Sequence, residues 1–244
     1  MSLLVALKGK NGLVMAADSR GTFGDPRGVT AQNDNQKKAH ILASHVAVLT
    51  AGSAEVGALV LDIAKARTAS SEIDGVTPVL ETLRSTVREK YNEWFPTVPP
   101  ILPIPLIQTG QVAVRPELVF LIGGYELDGT PRLFGLGNLF DFSPMLHDYG
   151  FAVQGVAQYA LYLLNRLYEA DRTIQELTSL AVYTITETAS QDGKVGGPVS
   201  VVTIDPGRTG CQVMDPEEVQ KVYEENNLRS RALRDSFYKR EAVS

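Results

Sequence analysis

Apolar residues fall in short blocks along the chain, and the spacing within each block predicts its structure. Leu3 to Leu7 and Leu13 to Ala17 are apolar at consecutive positions, and Lys8-Gly9-Lys10-Asn11-Gly12 between them is turn-forming. An Asn-Gly pair tolerates the positive φ angles of a tight hairpin, so two strands are expected to meet at Asn11-Gly12. Consecutive rather than alternating apolar residues mark strands covered on both faces. A sheet buried on both sides requires at least one further layer. Asp18-Ser19-Arg20 leaves the second strand as a polar exit. The segment from Gly21 to Gln36 is polar, contains Pro26 and several glycines, and is expected to be a loop. Ile41-Leu42-Ala43 and Val46-Ala47-Val48-Leu49 form the next two expected strands.

The period then changes. Ser53 stands where an N-cap belongs, and Val56, Leu59, Val60, Ile63 and Ala64 recur at helical spacing after it. A second helix is expected from Thr77-Pro78, with Val79, Leu80, Leu83, Val87 and Tyr91 on its inner face. Residues 95–116 are rich in proline and lack helical periodicity, which marks an irregular insertion. Leu118 to Ile122 and Arg132 to Gly135 are expected to pair as strands through Asp128-Gly129. Helices are expected over about 156–168 and 173–189, the latter opened by a Thr173–Glu176 capping box. Val199 to Ile204 and Cys211 to Met214 form the last strand pair, and Asp215-Pro216-Glu217-Glu218 starts a charged helical tail. Two helix pairs, with strands before, between and after them, imply an α+β fold. The expected form is a four-layer αββα sandwich of two antiparallel sheets between helix layers. Residues 1–214 make up that domain and residues 215–244 a C-terminal extension.

Composition narrows the function classes. The 244 residues carry 23 basic and 28 acidic side chains, a net charge of −5, without the basic footprint of a nucleic-acid binder. No apolar run approaches the roughly 18 residues of a membrane span. The start, Met1 to Leu7, is interrupted by Lys8 too soon for a signal peptide, so the mature chain is expected to begin at or next to residue 1. Cys211 is the single cysteine, which excludes an intrachain disulfide and fits a cytoplasmic protein. His40, His45 and His147 lack metal-ligand spacing, and phosphate-loop, dinucleotide and nucleophile-elbow motifs are absent. No cofactor or metal is expected.

One candidate for chemistry remains. Met1 precedes Ser2, and an initiator methionine is usually removed before so small a residue. The exposed serine would then carry a hydroxyl and an α-amine, a nucleophile and a base on one residue. Such an amine titrates near 7.7–8.0, far below a lysine.

Three further segments carry a family resemblance. Leu4 to Arg20 resembles the opening of a proteasome β-type subunit, a threonine-type peptidase family among the N-terminal nucleophile hydrolases. Lys37-Lys38-Ala39-His40-Ile41 and Thr50-Ala51-Gly52-Ser53 are similar to that family's catalytic-lysine segment and glycine turn. Gln191 to Gly197 is similar to its late aspartate-to-glycine-pair segment. The order of these segments matches the family over roughly residues 2 to 205. The proline-rich insertion and the absence of a propeptide are most like the bacterial proteasome homologues, the ancestral-type and betaproteobacterial branches.

The resemblance implies a role for each matching residue. Ser2 takes the nucleophile position, where threonine is usual, and Asp18 and Arg20 follow the second strand. Lys38 takes the place of the catalytic lysine, with Lys37 as the alternative. Gly52 would supply an oxyanion N–H, and Asp192 would hold the N-terminal residue. Gly21, Gln36, His40, Thr50 and Ala54 would line the substrate pocket. The accessory serines of the family have no counterparts, since Gln154 or Gly155 and Val195 stand in their places.

The implied function is a self-compartmentalising peptidase acting on polypeptides or peptides. It would be a cytoplasmic homo-oligomer of two stacked rings, seven subunits each rather than six, with any unfoldase partner left open. The helix of Thr77 to Phe95 and the charged tail are the expected contact surfaces. Two other uses of the fold remain open: a weak or inactive ring-forming structural subunit, and an acyl-transfer enzyme of the ligase or transpeptidase type.

Overall fold

The Asn11-Gly12 signal produces the expected hairpin. β1 (Leu3–Gly9) and β2 (Gly12–Ala17) pair antiparallel, from Leu4 opposite Ala17 to Gly9 opposite Gly12. The structure is a computed structural model and describes residues 2–25, 28–96, 115–207 and 209–238. β10 (Phe151–Gly155) adds to the outer edge of β1, while β11 (Ser200–Asp205) and β12 (Gly210–Val213) extend the sheet beyond β2. The second sheet runs β5 (Ala39–Ala43), β6 (Val46–Gly52), β7 (Leu118–Tyr125), β8 (Pro131–Gly137) and β9 (Met145–Leu146) in spatial order. All strand pairs in both sheets are antiparallel.

The two-sided apolarity of the strands finds its explanation in three cores. Successive side chains point to opposite faces of a strand. Leu3, Val5, Leu7, Val14 and Ala16 therefore face one way, into a core with Ala160, Leu164, Leu177, Ala181 and Ile185. Leu4, Ala6, Leu13, Met15 and Ala17 face the other way and meet Ala47, Leu49 and Leu121 of the second sheet. The outer face of that second sheet, with Val46, Val48, Phe120 and Ile122, packs on Val60, Leu61, Leu80, Leu83 and Val87.

Helices α1 (Ala54–Ser70) and α2 (Val76–Trp94) cover the second sheet, and α3 (Ala157–Leu167) and α4 (Ile174–Gln191) cover the first. The layers are αββα, as expected. A further helix, α5 (Pro216–Tyr238), lies along α4, with Asn226 buried and bonded to Ser179. Thr173 and Glu176 form the reciprocal capping box that opens α4.

Several details differ from the sequence expectation. The segment expected as a loop contains a hairpin of β3 (Gly21–Asp25) and β4 (Gly28–Asn33). This two-stranded ribbon lies outside the two main sheets, so no apolar pattern announces it. β10 was unexpected because five residues ahead of a helix carry little pattern of their own, and its place is set by pairing with β1. α2 starts one residue before Thr77, behind Gly75 at φ +86°. Ser53 stands at the N-cap of α1, but its side chain makes no capping bond. Of the proline-rich insertion, residues 97–114 lie outside the described residues. Among the described residues, no helix is long and apolar enough to cross a membrane.

Candidate active site

Strand register decides what meets at one end of the sandwich. Because β1 and β2 are antiparallel, the residue before β1 and the residues after β2 are neighbours. This places Ser2 beside Asp18. In the second sheet the start of β5 and the end of β6 are likewise adjacent, and the Thr50 N–H donates to the Lys38 carbonyl at 2.9 Å. Lys38 and Gly52 thus reach the same end from the facing sheet.

Asp18 is the hub. Its carboxylate is 0% exposed and accepts four hydrogen bonds. Oδ1 accepts from the Leu3 N–H at 3.0 Å and from Lys38 Nζ at 2.8 Å. Oδ2 accepts from the N–H groups of Arg20 at 3.2 Å and Gly196 at 3.1 Å. A carboxylate has about four lone-pair positions, and all are used. Lys38, only 4% exposed, also donates to the Arg20 carbonyl at 2.7 Å. Burial lowers the Lys38 pKa below the ordinary lysine value, against the opposing pull of Asp18. Desolvation penalises the charged form. Lys37 is exposed, so Lys38 is the lysine placed on Asp18.

Ser2 is buried, and its backbone is held closely. The Val156 N–H donates to the Ser2 carbonyl at 2.9 Å. Gly155 has φ +88°, and a Cβ there would stand 1.9 Å from the same carbonyl oxygen. An accessory serine at 155 therefore has no room. Gln154 points away, its Nε2 lying 2.7 Å from where a Cβ of Gly135 would stand. Val195, the other counterpart position, is packed in the core beneath α4.

Two small cavities adjoin Ser2. One, of about 130 Å³, is lined by Ser2, Arg20, Gly21, Thr22, Phe23, Gln36, Gly52, Ser53, Ala54 and Glu55. The other is lined by Ser2, Gln36, Lys37, Lys38, Thr50, Ala51, Gly52 and Ala54. Gly52 has φ +99°, and a Cβ there would meet the Glu117 carbonyl oxygen at 2.1 Å. Only glycine allows β6 to turn into α1 at this point. A larger cavity of about 650 Å³ opens between α4 and α5, but no nucleophile–base pair lines it.

The structure separates two expected residues from this cluster. His40 lies on the face of β5 opposite Ala39 and Ile41, toward Asp62 and Lys65 of α1, and lines neither cavity. Burial lowers its pKa, and its Nε2 is unpartnered among the described residues. The Asp192 carboxylate accepts the Lys194 N–H at 2.9 Å, closing a turn after α4, and makes no hydrogen bond to Ser2. Its segment reaches the cluster through backbone instead, by way of the Gly196 N–H on Asp18.

Sequence reasoning missed Asp34. Its carboxylate takes Arg20 Nε at 2.8 Å and Nη2 at 2.9 Å, and the Arg20 guanidinium holds it below the usual carboxylate range. The partner of Arg20 lies 14 residues away across the β3–β4 hairpin, and no local spacing signals the pair.

Residues 2–93, which carry Ser2, Asp18, Arg20, Lys38 and Gly52, match the family described as Proteasome subunit. Over those residues the chain is similar to proteasome subunits. It is 23% identical over 200 residues to Proteasome subunit beta 2 of Caldivirga maquilingensis, covering 82% of this chain and 88% of that one. Two solved structures of Anbu proteins share the fold of this chain. A Gly-1 mutant from Hyphomicrobium sp. strain MC1 aligns over 100% of both chains, with a TM-score of 0.70 at 21% identity. Anbu, the ancestral beta-subunit, from Yersinia bercovieri aligns over 99% of both, with a TM-score of 0.70 at 17% identity.

Proposed function

We propose that this chain is an N-terminal nucleophile peptidase in which Ser2 attacks the amide carbonyl once Met1 has been removed. The observation that carries this reading is the shared cavity of Ser2, Lys38 and Gly52, with Lys38 buried on Asp18. Two of the N–H groups of the Lys38 ammonium are used by Asp18 and the Arg20 carbonyl. Lys38 lines the same cavity as Ser2. In its neutral form the amine accepts a proton there, and desolvation favours that form.

In the first step Ser2 Oγ bonds to the carbonyl carbon, and its proton passes toward Lys38 Nζ and the α-amine of Ser2. The Gly52 N–H stabilises the oxyanion, an interaction worth about 2.7–4 kcal/mol in hydrolases of known mechanism. The C–N bond then breaks as the leaving amine takes the proton, leaving an ester on Ser2. Water attacks that ester by the reverse proton route and frees the acid. A role for Asp192 in holding the α-amine requires its carboxylate to leave the Lys194 turn.

Access is then restricted by assembly, as a homo-oligomeric ring with the sites inside. Ring closure uses two different surfaces on each subunit. The apolar face of α2, one expected surface, is spent on the core. Exposed apolar side chains elsewhere support the ring instead: Leu139, Phe140, Met145, Leu146 and Tyr149 between β8 and β10, and Tyr159, Leu161 and Tyr162 on α3. The charged tail, the second expected surface, exposes Leu233, Phe237 and Tyr238 at the end of α5.

Two measurements test this reading. A peptidyl β-lactone, followed by mass spectrometry of the adduct, is expected to label Ser2 only on chains that have lost Met1. Full retention of Met1, or an adduct elsewhere, would overturn the mechanism. Mass photometry at nanomolar and micromolar protein is expected to show a closed multimer. A monomer or dimer throughout that range would sink the compartment.

A further inference from the structure

The hydrogen bonds around Asp18 continue to a residue that lines neither cavity beside Ser2. Arg20 Nε and Nη2 form a two-point pair with the Asp34 carboxylate, and Arg20 Nη1 donates to the Gly193 carbonyl at 3.1 Å. The guanidinium lies flat against Gly196, where a Cβ would stand 2.4 Å from its central carbon. On the other side of the same loop, Ser19 Oγ donates to the Asp34 carbonyl at 2.6 Å and the Ser19 N–H to the Gly196 carbonyl at 3.1 Å. A Cβ on Gly197, which has φ +71°, would stand 2.6 Å from Ser19 Oγ and 2.9 Å from the Asp34 Cβ. Asp34 thus grips the 193–197 loop through Arg20 and through its own backbone. The Gly196 N–H of that loop is one of the four donors on Asp18.

A two-point guanidinium–carboxylate pair fixes direction as well as distance. Its side chains are 21% and 41% exposed, and ion pairs of that kind add little to folding stability. A partly exposed pair that stabilises little, yet sets the approach of a buried N–H to a buried carboxylate, is suited to orientation.

We propose that Asp34 is a positioning residue: its carboxylate aims Arg20 so that the 193–197 loop delivers the Gly196 N–H to Asp18, the carboxylate on which Lys38 rests. The proposal rests on the hydrolase reading above. It adds that the geometry of Lys38 depends on a residue outside the substrate cavity, held by the β3–β4 hairpin.

The test compares Asp34→Asn with Asp141→Asn, which weakens another exposed ion pair, Arg88–Asp141, far from Ser2. Hydrogen exchange of a peptide spanning 192–199 is expected to rise about tenfold in Asp34→Asn and to stay unchanged in the control. Turnover is expected to fall roughly ten- to hundredfold in kcat, with KM within about twofold, since Asp34 lines neither cavity. Asp34→Glu, which keeps the carboxylate, is expected to recover part of kcat. Unchanged exchange, an equal rise in the control, or wild-type kcat in Asp34→Asn would overturn the proposal. An inactive wild-type enzyme would count against the hydrolase reading instead, and the exchange comparison alone would then decide whether Asp34 anchors the loop.

Discussion

Ser2→Ala is expected to leave a folded, assembled protein with no measurable amide hydrolysis. Removing the hydroxyl nucleophile of a hydrolase costs on the order of a million-fold in kcat, because no other group forms the acyl intermediate. The structural cost is small. The Ser2 backbone carbonyl, held by the Val156 N–H, is untouched, and a single hydroxyl is removed from a residue lining a small cavity. A change of about 0.5 kcal/mol in stability is expected. Peptide turnover and thermal unfolding measured on the same preparation separate the two effects. Turnover at even a tenth of the wild-type rate in Ser2→Ala would eliminate the N-terminal nucleophile mechanism.

Lys38→Met is expected to lose both activity and stability. Proton transfer by a positioned base contributes roughly 10²–10⁴-fold, so kcat should fall by that much. Unlike Ser2, Lys38 also balances a buried charge. Without it, the fully buried Asp18 retains its three backbone N–H donors but has no cation within bonding distance among the described residues. Breaking a buried pair by removing one partner costs about 3–5 kcal/mol, and the three remaining donors place Asp18 at the lower end. For a chain of this size about 3 kcal/mol corresponds to a Tm lower by roughly 6–12 °C.

The pH dependence follows from the same lysine. A base must be unprotonated to accept a proton, so activity rises with pH through the pKa of Lys38, which burial puts below the ordinary lysine value. The α-amine of Ser2 is a second base on the proposed proton route, so both groups contribute to that dependence. In Lys38→Met any residual rate should follow the α-amine alone. An unchanged Tm would show that Lys38 and Asp18 are not a buried pair in solution. An unchanged kcat would remove Lys38 from the proton route.

Much of this architecture is legible along the chain because both sheets are covered on both faces. Strands such as Leu3–Leu7 and Leu13–Ala17 then announce themselves as unbroken apolar runs, and the helices between them keep the 3.6-residue period. Local chemistry also suffices for the Asn11-Gly12 turn and the Thr173 capping box, since all the partners lie within a few residues. Ser2 was singled out by its place after Met1, and Asp18, Lys38 and Gly52 by the family resemblance. Ser2, Asp18 and Lys38 stand just outside a strand and Gly52 ends one, where a polar residue or a glycine interrupts an apolar block.

Tertiary structure decided what spacing cannot carry. The β3–β4 hairpin belongs to neither main sheet, and a polar ribbon of this kind leaves no hydrophobic signature. Lys38 rather than Lys37 meets Asp18 because β5 starts at Ala39, and only one of two adjacent lysines can face the interior from that position. His40 turns to α1 by the same alternation. Asp192 keeps its carboxylate in a local turn, and the loop after it contributes the backbone N–H of Gly196 instead. Asp34 reaches Arg20 only because a hairpin folds the two together. From the sequence alone the layered fold and its main buried strands and helices were determined, because burial imposes a period on those elements. Which polar groups touch at the strand ends was left to strand register and chain reversal, which bring together residues up to 178 positions apart.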